Sequence, residues 1–222
     1  MSDTIAIDGP RQGPESGGAA NSLVVFLHGL GADGNDLISL APLLGQLLPD
    51  TAFVAPDAPQ PCDMAPTGRQ WFSLQTRDAD EYLAGVSSAA PVLDAFLDQE
   101  LEKLGLSEDR LAVIGFSQGT MTALYTCPRR PNPCAAIVGF SGSLIAPERL
   151  AEETKSRPPI LLVHGEADPV VPFQAMPAAA QALVAAGFEV SAHARPGLAH
   201  GIDQEGLQLC AAMLVKALGG TQ

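Results

Sequence analysis

The 222-residue chain sets 12 Lys and Arg against 25 Asp and Glu, a formal net charge of −13, and 46% of its residues are apolar. That length and apolar content suit one globular domain with a full core and exclude a disordered chain. The acidic balance argues against nucleic acid and anionic membrane surfaces as partners. No run approaches the ~18 consecutive apolar residues of a membrane span, so stable membrane insertion is not expected.

The N-terminus, MSDTIAIDGPRQGPESGGAAN, has neither a basic start nor an apolar stretch of the kind a secretory signal needs. Residues 1–21 read as a loosely ordered segment in which Thr4–Ile7 could add an edge strand, and residues 22–222 as a single domain. Cys62, Cys127, Cys134 and Cys210 show no metal-ligand spacing. They suit reduced thiols in a cytoplasmic protein; a Cys127–Cys134 disulfide is sterically conceivable, with nothing in the sequence to support it.

Short apolar runs rich in Val, Ile, Leu and Phe mark strands at Ser22–Leu27, Thr51–Ala55, Leu111–Phe116, Ala135–Phe140 and Ile160–His164, and Phe188–Ala194 is a sixth, more alternating run. Helical patterns lie between them. Asn35 or Asp36 could cap a helix running towards Leu48. Ala89, Val92, Leu93, Phe96, Leu97, Leu101 and Leu104 form one apolar helix face. Gln118–Thr126 reads as a helix, Gln174–Ala186 as an Ala-rich one stopped by Gly187, and Asp203 as the cap of the last. Strand and helix alternate, which predicts an α/β fold with a mostly parallel central sheet and helices on both faces. Residues 56–86 break this rhythm. They carry Met64, Trp71, Phe72, Leu74, Tyr82 and Leu83 without a clear period, and read as a lid-like loop over a pocket.

Three groups of residues fall at predicted strand ends. Gly115-Phe116-Ser117-Gln118-Gly119 follows one strand and opens a helix, the context that a nucleophile elbow requires. The competing reading is a plain strand-to-helix turn with Ser117 as cap. A serine needs a base, and His200, in the loop before the last helix, lies where ligands meet parallel sheets. The base needs an acidic partner; Asp168 follows the strand ILLVH, with Glu166 as competitor. The order Ser117, Asp168, His200 is that of the α/β-hydrolases.

Residues 26–36, FLHGLGADGND, pose a separate question, because Gly29, Gly31 and Gly34 match the dinucleotide-binding G-x-G-x-x-G and Asp57 stands about 20 positions on. Asp33 and Asp36 would repel a pyrophosphate there, and that reading leaves the Ser–Asp–His set without a role. An oxyanion hole fits better, with one backbone N–H from Gln118 and one from Leu30.

HGLGADGND, RQWFSL, GFSQGTMTAL, LLVHGEADPVVP and PGLAHGI together resemble the small carboxylesterase/phospholipase group of α/β-hydrolases, which includes the acyl-protein thioesterases. The resemblance runs from about Leu23 to Leu218. It implies an α/β-hydrolase fold, Ser117 as nucleophile, Asp168 as orienter, His200 as base, and Leu30 and Gln118 as oxyanion donors. It implies that the Trp71–Phe72 loop borders an acyl groove, so His28, Trp71, Phe72 and Val171 are expected to contact substrate. It also allows a homodimer. Two departures are Ser73, where the family often has Asp after the Trp-Phe pair, and the segment PRRPNPCAA. The expected activity is hydrolysis of short-to-medium acyl esters, with thioesters or lysophospholipids as alternative substrates. No cofactor or metal is expected. A neutral-to-alkaline optimum follows from the ordinary imidazole pKa of ~6.5.

Overall fold

A computed structural model describes residues 5–219. In chain order its elements are β1 (Arg11–Gln12), β2 (Ser22–Leu27), α1 (Gly34–Ile38), α2 (Ala41–Leu47), β3 (Thr51–Val54), β4 (Gln60–Pro61), β5 (Arg69–Gln70) and α3 (Ala79–Leu104). There follow β6 (Leu111–Phe116), α4 (Gln118–Thr126), β7 (Ala136–Phe140), α5 (Leu150–Glu153), β8 (Ile160–Gly165), α6 (Ala175–Ala185), β9 (Val190–Arg195) and α7 (Gln204–Leu218). Seven strands form one sheet in the order β1-β3-β2-β6-β7-β8-β9. Every pair in it is parallel except β1 with β3.

The inner strands are buried on both faces, the edge strands β1 and β9 only partly, and the inner residues divide by the period of two. Leu23, Val25, Leu27, Leu111, Val113, Ile137, Ile160 and Leu162 join a core with side chains of α3, α4 and α6. Val24, Phe26, Ala112, Ile114, Val138, Leu161 and Val163 face the other way, into a core completed by α1, α2 and α7. Cys62, Cys127, Cys134 and Cys210 are buried free thiols within this packing.

Three expectations need correction. Ile5–Ile7 is not a strand, and Thr4 lies outside the described residues; the edge strand is Arg11–Gln12. Among the described residues, the segment before β2 is tied down rather than loose. Pro10 O accepts the Ala55 N–H, Ser16 N–H reaches Pro49 O, and Arg11 pairs with the buried Glu100 of α3 at 2.8 Å. The irregular stretch 56–86 is shorter than expected, because α3 starts at Ala79. Asp78 caps it by accepting the Glu81 N–H, and the polar first turns had hidden its period. The unusual PRRPNPCAA segment has a packing role: Arg130, 3% exposed, bonds Asp94 and Asp98 on α3.

The register of β2 with β6 sets Leu27 beside Gly115, so the loops leaving these two strands start as neighbours. The approach is so close that a Cβ on Gly119 would lie 1.9 Å from Leu27 O. Gly119→Ala should therefore destabilise the protein by about 3 kcal/mol or more. Gly105→Ala, at a left-handed helix end with no atom within 4 Å of the added methyl, should cost about 1 kcal/mol. Urea unfolding of the two variants measures the difference.

Candidate active site

Ser117 stands between β6 and α4 with φ 53° and ψ −116°, a conformation that non-glycine residues adopt only under constraint. Its N–H bonds Phe140 O on the neighbouring strand at 2.9 Å, and its carbonyl accepts the Met121 N–H. Its Oγ has no hydrogen-bond partner among the described residues, and the residue lines a cavity of about 280 Å³. His200 lines the same cavity, its ring packed on Phe116 with centroids 4.8 Å apart. Ser117 and His200 are not directly hydrogen-bonded to each other.

The loop after β8 brings Asp168, not the exposed Glu166, to His200. Asp168 Oδ2 lies 2.7 Å from His200 Nδ1, while Oδ1 accepts the N–H groups of Val170 and Val171 at 2.8 and 2.9 Å. Burial opposes ionisation of this carboxyl. The hydrogen bonds from His200, Val171 and Val170 outweigh that effect and hold it below the usual carboxylate range. A feature missed in the sequence is His164, at the end of β8. Buried beside the same carboxylate, its Nε2 lies 3.2 Å from Asp168 Oδ2 and 3.0 Å from Val171 O. The sequence placed His164 at a strand end before Gly165, but nothing in it named its partner.

The glycine-rich loop after β2 forms the facing wall. The N–H groups of Gly31, Ala32, Gly34, Asn35 and Asp36 are all occupied by protein acceptors, including Arg69 O and the carboxylates of Asp57 and Asp33. A pyrophosphate would need those donors, so the loop is poorly suited to hold one. Leu30 N–H and Gln118 N–H have no acceptor among the described residues, and both residues line the cavity. The loop is held by a network around Gln118, whose side-chain role the sequence did not reveal. Gln118 Oε1 accepts the Trp71 backbone N–H at 2.8 Å, and its Nε2 donates to Phe72 O at 2.7 Å. The Trp71 indole N–H then donates to His28 O at 3.0 Å.

This network corrects three of the four expected substrate contacts. Trp71 and Phe72 are 0% and 1% exposed and pack in the core, and His28 is buried beneath the loop. None of them lines the cavity. Val171 does, together with Leu74, Tyr82 and Met121. The large rings are worth more buried than at a wet surface.

A sequence model of the phospholipase/carboxylesterase family matches residues 14–218. The chain belongs to that family. It is 29% identical to esterase YpfH of Escherichia coli (strain K12) over 189 residues, 85% of this chain and 80% of that protein. It is 32% identical to acyl-protein thioesterase 1 of Saccharomyces cerevisiae over 170 residues, 69% of this chain and 73% of that protein. The crystal structure of esterase PE8 superimposes with a TM-score of 0.93 at 44% identity, over 96% of this chain and all of that one. The architecture is thus the α/β-hydrolase fold of this family.

His28 gives the family framework a measurable pH dependence. Ala58 N–H donates to its Nε2 at 3.0 Å, so Nδ1 carries the proton and donates to Gly29 O at 2.8 Å. Burial lowers its pKa, against weaker opposing effects of the Gly29 bond and Asp57. The unfolded chain then binds a proton at higher pH than the folded one, so the contribution is present above ~6.5 and is lost as pH falls towards the lower folded value. Urea unfolding between about pH 7 and 5 should show a steeper loss of stability on acidification for the native chain than for His28→Gln.

Proposed function

We propose that this protein is a serine carboxylesterase that hydrolyses short-to-medium acyl esters through an acyl-enzyme. Ser117 Oγ attacks the ester carbonyl as His200 takes its proton, and Asp168 holds His200 in the required tautomer and stabilises the imidazolium. The alkoxide rests on the Leu30 and Gln118 N–H groups. The C–O bond to the alcohol breaks as His200 returns the proton to the leaving oxygen. A water, deprotonated by His200, then attacks the acyl-enzyme and releases the acid, restoring Ser117. The observation that carries this reading is the 2.7 Å Asp168–His200 bond at the cavity that also holds the strained Ser117 and two unpaired N–H groups.

The apolar lining and modest volume of the cavity, about 280 Å³, support short-to-medium acyl groups. Among the described residues no helix is long and apolar enough to cross a membrane. Its buried free thiols support a reducing, cytoplasmic setting.

Ser117→Ala should reduce turnover of 4-nitrophenyl butyrate by at least about 10⁴-fold while the far-UV circular dichroism stays unchanged. A fluorophosphonate should label the native chain at Ser117. Retained turnover in the variant, or a label on another residue, would move the nucleophile. A second reading, thioester hydrolysis, has its support in the relatives named as acyl-protein thioesterases. Comparing kcat/KM for an oxyester and a thioester of the same acyl chain decides between them; the carboxylesterase reading expects no preference for the thioester beyond the difference in their uncatalysed rates.

A further inference from the structure

The cavity beside Ser117 is lined mainly by apolar and uncharged groups, but it includes one residue of fixed positive charge, Arg77. Its partners set it apart from the other arginines. The chain has nine, and eight direct a guanidinium N–H to an oxygen of another residue. Among the described residues the Arg77 guanidinium meets a thioether instead, Met64 Sδ, at 3.9 Å. In a chain with twice as many acidic as basic residues, a guanidinium without an oxygen acceptor is conspicuous.

The carboxylates nearest in sequence are engaged with backbone. Glu81 accepts the N–H groups of Gln75, Thr76 and Arg77 at 2.7, 2.9 and 2.6 Å. Asp78 accepts the Glu81 N–H and the Thr76 hydroxyl. Asp80 is exposed on the first turn of α3. These bonds hold Arg77 at φ 58°, a left-handed conformation unfavourable for a non-glycine residue. The loop therefore keeps a strained backbone at the point where it brings Arg77 to the cavity.

We propose that Arg77 is a specificity residue that recognises a carboxylate at the end of the substrate remote from the scissile carbonyl. This inference rests on the esterase reading above and names the substrate class: esters that join an apolar body to one anionic terminus. A guanidinium offers a planar fork of donors that matches a carboxylate. Leu74, Tyr82, Met121 and Val171 line the same cavity and supply its apolar wall. In a protein of net charge −13, the local cation also offsets a general repulsion of anionic substrates.

The test uses two substrate pairs. Mono-4-nitrophenyl adipate carries its charge on the acyl side and is compared with 4-nitrophenyl hexanoate. 4-Butyryloxybenzoate carries it on the alcohol side and is compared with phenyl butyrate. The ratio of kcat/KM, charged over neutral, is measured at low salt for the native chain, Arg77→Gln and Arg77→Glu. The ratio for at least one pair should fall about tenfold in Arg77→Gln and further in Arg77→Glu, and the pair that responds identifies the end that bears the anion. About 1 M salt should lower the native ratio towards that of Arg77→Gln. Ratios that agree within about twofold across the three proteins, in both pairs, overturn the proposal. A native chain that turns over none of the four esters overturns the esterase reading itself.

Discussion

The buried side-chain amide of Gln118 ties together the two halves of the site. Its backbone N–H faces the cavity from the start of α4, while its side chain bonds the backbone of Trp71 and Phe72. Through the Trp71 indole the same network reaches His28 O, one residue before the glycine loop. The loop is fastened a second time where Gly31 and Ala32 exchange hydrogen bonds with Arg69. The Leu30 and Gln118 N–H groups are thus fixed relative to each other by hydrogen bonds as well as by the sheet. A buried amide bonded at both its oxygen and its nitrogen favours one geometry; with either partner missing, the remaining group would be left unpaired in a dry core. Donors fixed before the reaction need no reorganisation as charge develops on the carbonyl oxygen.

That arrangement has a consequence for specificity. The aromatic pair in the connection between β3 and α3 is committed to the scaffold. The cavity wall is left to Leu74, Arg77 and Tyr82 from the end of that connection and the start of α3, to Met121 from α4, and to Val170 and Val171 from the loop that anchors Asp168. These residues can change without disturbing the Gln118 network, because none of them takes part in it. Val170 and Val171 are partial exceptions: their backbone N–H groups bond Asp168 and the Val171 carbonyl meets His164, so only their side chains are free to vary.

The sequence was most legible where one physical rule acted alone. Five of the seven strands of the main sheet follow from continuous apolar runs, since burial on both faces leaves no place for polar residues, and a sixth, β9, follows from a more alternating run at the sheet edge. The cap at Asp203 and the stop at Gly187 follow from backbone chemistry. Legibility failed where long-range contacts decide. Arg11–Gln12 pairs as a strand because Phe53 and Val54 of β3 offer it an edge, not because its composition favours one. Trp71 and Phe72 were legible as important but not as buried, because a sequence does not say which side of a loop faces solvent. The proximity of Asp168 to His200 was legible from order along the chain, whereas the second imidazole at Asp168 was not, since only the curvature of the 165–171 loop brings it within reach.

Strain offers an independent guide to where these demands concentrate. Among the described residues, four non-glycine residues have positive φ: Arg77, Ser117, Ser141 and Ala146. Ser117 and Ser141 leave adjacent parallel strands at the same edge. Each is held laterally by the next strand, Ser117 N–H to Phe140 O and Ser141 N–H to Val163 O, both at 2.9 Å. Ser141 Oγ also reaches Gly201 O, beside His200. Such turns cost of order 1–3 kcal/mol each, and they persist only where the surroundings determine them fully. The cross-strand bonds supply that determination. They convert sheet register into side-chain placement, so the strain at Ser117 is held by the same contacts that bring the β6, β7 and β8 ends, and with them Asp168 and His200, to one rim of the sheet.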